Sequence, residues 1–193
     1  MRKNEKFGPF RPVINDPIER ERAIKNNDPA IFEIREERRN DGSKLWDSVR
    51  TFESWGADAV RENDKAISEH AKKENIDPDL VRAVIFSENS RGHYMGLNSG
   101  FQSLGIAESL LPMNIQNHRW AELIDKNPED LYNSEDNIEA GTVLLSRIRN
   151  RIESPTAEKI GTLWNNLKAK ETNEFGEYVE EVYRKKPWKK FED

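Results

Sequence analysis

The chain has 193 residues, enough for one domain with a core of its own and an additional segment. Hydrophobic and charged residues each make up 35% and the mean hydropathy is −0.94, so part of the chain is expected to stay outside the packed core. A net charge of −5 argues against nucleic acid or an anionic membrane surface as the main partner, the absence of cysteine excludes disulfide and thiolate chemistry, and no apolar run is long enough to span a bilayer.

Residues 1 to 42 carry Pro9, Pro12, Pro17 and Pro29 and close on the charge run "IREERRNDG". They read as an extended or loosely packed arm, and the first twenty do not read as a secretory signal peptide. From Ser43 the pattern turns helical. Leu45, Val49 and Phe52 recur at helical spacing, with Trp46 beside them, up to an expected break at Trp55-Gly56. A second helix is expected around Asp64 to Asn75, carrying Ile67 and Ala71. "IDPDLVRAVIF" then starts a third, with Asp77 as N-cap and Pro78 at the first helical position.

Residues 92 to 118, rich in Gly, Ser and Asn, read as loop with at most short helical turns. Ser134 is expected to cap a helix whose Leu145, Ile148 and Ile152 share a face. Two more follow. "TAEKIGTLWNNL" places Ile160, Leu163, Trp164 and Leu167 on one stripe, and "FGEYVEEVY" does so with Phe175, Tyr178, Val179, Val182 and Tyr183, up to Pro187. The terminal "RKKPWKK" is basic and aromatic; a solvated C-terminus accounts for it, and an anionic polymer is the alternative ligand. No segment alternates with period two, and no repeat is visible. An all-α domain over 43–193 is expected, with its three late helices packed against the helix of residue 88.

That helix ends on an acid. At 100° per residue, Leu80, Val81, Val84 and Ile85 form a stripe about 140° wide, and Glu88 falls inside it. Its carboxyl therefore points with the core face. It also lies in the last turn, where the helix dipole disfavours a negative charge. Both influences push a carboxyl pKa upward, which is what a general acid needs. The competing structural reading is a buried Glu tied to an Arg or to backbone amides.

The wider sequence bears on that choice. "AISEHAKKENIDPDLVRAVIFSENS" resembles the entry to the catalytic domain of lysozyme-like lytic transglycosylases, where a comparable helix ends on the catalytic Glu. "SLLPMNI" stands where that family has its Gly-Leu-Met-Gln cleft segment, and "EDLYNSEDNIEAGTVLLSRI" is like its following helix. "TLWNNL" stands at its Ala-Tyr-Asn element, and "YVEEVYRKKPW" looks most like toxin- and bacteriophage-type muramidases. The likeness spans roughly residues 64 to 188. The chain departs from the family in having Asn89 after the acid, where the family has Ser. Its cleft amide would be Asn114 in place of Gln, and Trp164 replaces Tyr, so that no phenol is available near the acid.

The resemblance implies a lysozyme-like helical domain that cleaves the β-1,4 bond between N-acetylmuramic acid and N-acetylglucosamine. Glu88 would protonate the glycosidic oxygen. As a carboxylate it would then accept the proton of the muramic C6 hydroxyl as that oxygen attacks the anomeric carbon. A hydrolase would need a second carboxyl. Glu108 is the first candidate because it opens the cleft segment; Asp125 and Glu135 are the others, each also explicable as a surface charge. Sugar faces and hydroxyls call for aromatics and amides, which Tyr94, Asn114, Trp164 and Asn165 can supply. Trp164 is equally a core residue, and His93 an incidental loop residue. No His, Asp and Glu cluster has metal-ligand spacing, and no cofactor is implied.

Two rival readings stand beside this one. The first is a peptidoglycan-binding or structural domain of the same fold that has lost the chemistry; the second is a helical adaptor whose charged arm docks a partner. The toxin-like likeness implies an antibacterial effector, made in the cytoplasm and acting at the periplasm or wall after non-classical export. It also implies a delivery partner and a cognate immunity protein.

Overall fold

The computed structural model describes residues 10–37, 53–90 and 112–191. Asp16 starts the first helix, α1 (Pro17–Lys25), by accepting from the N–H groups of Ile18 and Glu19. Among the described residues there follow α2 (Glu53–Glu62), α3 (Asp64–Lys73), α4 (Pro78–Ser90), α6 (Ser134–Arg149) and α7 (Ala157–Asn165), with α8 (Glu174–Lys185) last and a single turn, α5 (Asn117–Trp120), between α4 and α6. Short 3-10 turns cover Ala121–Ile124, Pro128–Tyr132 and Pro187–Phe191. The described residues contain no strand, only the isolated parallel bridges Val13–Ile31 and Arg35–Glu171. The domain is all-α. None of the described helices is long and apolar enough to cross a membrane.

Side chains of α4 explain its central place. Every residue from Ala83 to Ser90 is buried, so its last two turns are enclosed on all sides. The predicted cap is present: Asp77 Oδ1 accepts from the N–H of Asp79 at 2.9 Å. The neighbours of α4 differ from the expectation, however. It packs chiefly on α2, α8 and α3, whereas α6 packs on α3 and the 3-10 turns, and α7 pairs with α8.

Trp55-Gly56 is not a break but lies inside α2, because a Cβ on Gly56 would stand 2.8 Å from the Phe86 carbonyl oxygen and the two helices need that closeness. Residues 43–52 lie outside the described part. Similarly, α7 and α8 meet through Gly161 against Val179 and Gly176 against Thr162. The cap of α6 is Asn133, one residue before Ser134; its side chain accepts from Glu135 and Asp136, which Ser134 as first helical residue cannot do.

Two segments read as solvated are packed. Within 10–37, Ala23, Ile24, Ala30 and Phe32 belong to the core, which corrects the reading of a loosely packed arm. The cause is a pair of buried arginines. Arg20, fully buried, donates to the carbonyls of Ile14, Glu33, Leu167 and Ala169 and to Asn15 Oδ1. Arg151 donates to the carbonyls of Arg147, Ala23 and Asp28 and to Asn27 Oδ1. Burial, with Arg147 and Arg11 nearby, brings the Arg151 pKa down to about 10 against the pull of Asp28. At the other end Trp188, 5% exposed, sets its ring 6.3 Å from that of Phe86, so the basic tail is anchored by its aromatic.

Charged side chains also fasten α4 at its start. Asp79 pairs with Arg82 at 2.8 Å and with Lys186 at the end of α8. Burial raises its carboxyl pKa, but the hydrogen bonds and charges of Lys186 and Arg82 outweigh that and leave it lowered. This contribution to stability is therefore fully present above the unfolded value of 3.8 and is lost as pH falls through the folded pKa. Asp79→Asn should melt about 2–4 °C below the parent at neutral pH, for about 1 kcal/mol. In scans at successively lower pH the gap should close.

Candidate functional site

Glu88 is 4% exposed in the last turn of α4. Two side chains from distant parts of the chain reach it. Trp164 Nε1–H donates to Glu88 Oε1 at 2.9 Å, and Asn114 Nδ2–H donates to Oε2 at 3.0 Å. A donor on each oxygen fixes the plane of the carboxyl. A buried carboxylate without partners would cost several kcal/mol, and hydrogen bonds to a charged group return about 1.5–3 kcal/mol each. Both of these donors are neutral side chains.

Trp164 reaches the acid because of its place on α7. Ile160 and Leu163 fill the core side, and Trp164, half-buried, sits at the edge of that stripe with its ring on the core and its N–H on Glu88. Trp164 therefore packs on the core and donates to the acid at once. The missing phenol is replaced as a donor by the indole.

Asn114 reaches the acid from the turn Pro112–Ile115 with φ of 54°, a left-handed conformation that Asn tolerates better than most residues. Three residues hold that turn. Asn89 Nδ2 donates to the carbonyls of Pro112 and Ile85, both at 2.7 Å. Asn137 Oδ1 accepts from the Met113 N–H at 3.0 Å, while its Nδ2 donates to the Leu131 carbonyl at 3.3 Å. Gly141 leaves room for Met113, whose Sδ would lie 2.3 Å from a Cβ there. The departure at Asn89 is thus a fastening: its longer side chain spans from the helix to the turn. Ser90, the last residue of α4, is held too, with its Oγ 2.8 Å from Tyr178 Oη on α8.

Asn89, Asn137 and Gly141 carry weight that the residue-level reading did not give them. A signal existed: Asn137 interrupts the apolar side of α6 directly before Ile138, and a buried amide in a helix is expected to be spoken for. Gly141→Ala should push the fully buried Met113 aside, costing about 1–3 kcal/mol of stability as overpacking does. A second effect should separate it from an ordinary core mutation. The Asn114 side-chain amide resonances should move as the next residue leaves Glu88, which a two-dimensional amide spectrum would register.

Other candidates fall elsewhere. Asn165 is exposed and its Oδ1 accepts from Asn173 at 3.3 Å, which turns it to the start of α8 and not to the acid. Asp125 and Glu135 are exposed, the former at a left-handed residue closing a 3-10 turn and the latter in the first turn of α6. Glu108, Tyr94 and His93 lie outside the described residues. Among the described residues no group of three His, Asp and Glu is placed to hold a metal ion. Two cavities formed by described residues, of about 580 and 300 Å³, are lined by other side chains than Glu88.

A carboxyl so placed can give and take a proton at one fixed point, with an amide beside it to orient a bound group. Asn114 Oδ1 is buried and has no hydrogen-bond partner among the described residues. Comparison of the chain with protein-family models, curated proteins and solved structures gave no match in any of the three.

Proposed function

We propose that the protein cleaves the β-1,4 glycosidic bond between N-acetylmuramic acid and N-acetylglucosamine in peptidoglycan, with Glu88 as the single acid and base. The observation that carries this reading is the buried Glu88 carboxyl, held at a helix end by Asn114 and Trp164, at the positions that resemble the transglycosylase acid, cleft amide and aromatic. Glu88 gives its proton to the glycosidic oxygen as the bond to the anomeric carbon breaks. The resulting carboxylate then takes a proton from the incoming muramic C6 hydroxyl, giving an anhydro end; a reducing end would need a second carboxyl to activate water. Asn114 Oδ1 accepts from a sugar hydroxyl or acetamido N–H, the donor that it lacks among the described residues. On this reading the chain is a lysozyme-like lytic transglycosylase or muramidase. An antibacterial role, with a delivery partner and an immunity protein, follows from the toxin-like resemblance alone.

The inactive alternative, a domain that binds the glycan without cleaving it, draws on one feature. Asn114 and Trp164 supply Glu88 with donors without any ligand, as a purely structural acid requires. Incubation of purified sacculi with the protein distinguishes the two. Clearing with release of soluble muropeptides is the expected result, and mass spectrometry of their ends assigns the anhydro or hydrolytic route. Retention of the protein on sacculi without release would establish the binding domain instead.

A further inference from the structure

The two donors on Glu88 differ in kind. Asn114 carries an acceptor beside its donor, whereas an indole has one N–H and no acceptor. The Trp164 bond to Oε1, at 2.9 Å, therefore suits an oxygen that holds no proton. Hydrogen bonds to a charged acceptor are roughly twice as strong as those to a neutral one. This bond is worth more to the carboxylate than to the acid, and it gains strength as Glu88 gives its proton away.

The setting makes that preference count. Glu88 is 4% exposed, so little water competes with the indole for its oxygen. Burial and the C-terminal end of α4 both oppose a charge on the carboxyl, and the indole opposes them. Charges on the elements packed around α4 are engaged elsewhere: Asp58 with Arg61 in α2, Asp64 with Arg82 and Lys73 with Glu139 from α3, and Lys159 of α7 with Glu36. At the end of α8, Lys185 pairs with Glu181 and Lys186 with Asp79. Tyr178 of α8 reaches the same end of α4, where its phenol lies 2.8 Å from Ser90 Oγ. The turn that carries Asn114 brings a neutral amide.

We propose that Trp164 sets the strength of Glu88 as an acid: its N–H steadies the charge that grows on the carboxyl as the glycosidic oxygen takes the proton, and so fixes the pH range of the reaction. The inference rests on Glu88 being the acid of the proposed cleavage. In this step Trp164 acts through Glu88 and is a positioning residue. The effect has two sides. A stronger acid gives its proton faster once protonated, but it stays protonated only to a lower pH.

Trp164→Phe keeps a ring and removes the N–H. Loss of one hydrogen bond to the charged form should raise the Glu88 titration midpoint by about one to two pH units. Two readouts on the full chain test this. The first follows the Glu88 side-chain carboxyl by carbon-13 resonance, assigned by its loss in Glu88→Gln, in parent and variant. In the parent the Trp164 Nε1–H resonance should move with the same midpoint, a check that needs no variant to fold. The second is the initial rate of sacculus clearing at saturating glycan across pH. Half of the acid-strength change, felt in the transition state, makes the variant about three- to tenfold slower at low pH, where both proteins are protonated. Its alkaline limb should extend higher, so that the two curves cross. An unchanged or lower carboxyl midpoint in the variant would overturn the proposal, as would a parent indole signal indifferent to the titration. A rate that falls equally at every pH would do so too, since it marks lost packing. The titration uses no activity: a parent that clears no sacculi would remove the glycan reading, while the carboxyl midpoints still decide what Trp164 does to Glu88.

Discussion

Glu88→Gln is expected to abolish sacculus clearing while leaving the fold intact. Gln has the shape of Glu and keeps a carbonyl oxygen to accept from Trp164 or Asn114, but it has no proton to give at neutral pH. Loss of a positioned general acid typically costs about 10²–10⁴ in rate. In the proposed mechanism the same group serves both proton transfers, so the upper part of that range applies. The thermal midpoint should stay within a few degrees of the parent. One of the two donors would face the new side-chain N–H instead of an oxygen, at a cost of about 1–3 kcal/mol. A collapse of stability together with activity would assign Glu88 a structural role, and undiminished clearing would remove it from the chemistry.

Arg20→Met should give the largest loss of stability in the molecule. The methionine can fill much of the space, but the guanidinium donates to five acceptors, and four of them are backbone carbonyls from three separate segments: 14, 33 and 167–169. Burial lowers its pKa against the effect of Glu33, yet an arginine keeps its charge across the working range, so those acceptors lose a permanent cation. Removing one partner of such a buried set costs about 3–5 kcal/mol, which corresponds to a melting point roughly 10 °C lower. Arg20→Lys should recover only part of this, since three donors on a flexible stem cannot reproduce a planar fork. A melting point within a degree or so of the parent would show that residues 10–37 dock without it.

The buried arginines mark where sequence reading fell short. Compositional rules treat a charged, proline-interrupted segment as solvated, and they cannot see that distant carbonyls converge on one guanidinium. Trp188 was hidden for the same reason, being a single aromatic among lysines whose partner, Phe86, is remote in sequence. Gly56 misled because glycine signals a break by local propensity, whereas here it serves a helix crossing. The helices themselves were legible, since their apolar spacing and caps are local properties: Asp77-Pro78, and the stripes of α7 and α8, needed no tertiary information.

The site was legible in its parts and not in its assembly. The helical phase of Glu88 placed it on the buried side, and the resemblance singled out Asn114 and Trp164 among the amides and aromatics. That Trp164 would supply the donor on one oxygen and Asn114 the other depends on how α7 and the 112–115 turn meet α4, which no periodicity encodes. Asn89, taken alone, is only a departure from the family; its two bonds give it a use that only the folded turn reveals.

Everything assigned to this centre requires a sugar chain to lie against Glu88, Asn114 and Trp164. The most direct check is an amide and indole spectrum of isotopically labelled Glu88→Gln, titrated with uncleaved soluble glycan strands from peptidoglycan. Saturable shifts of the Trp164 Nε1–H and the Asn114 side-chain amide are predicted. Binding that leaves both signals in place and moves others would put the glycan elsewhere and contradict the account.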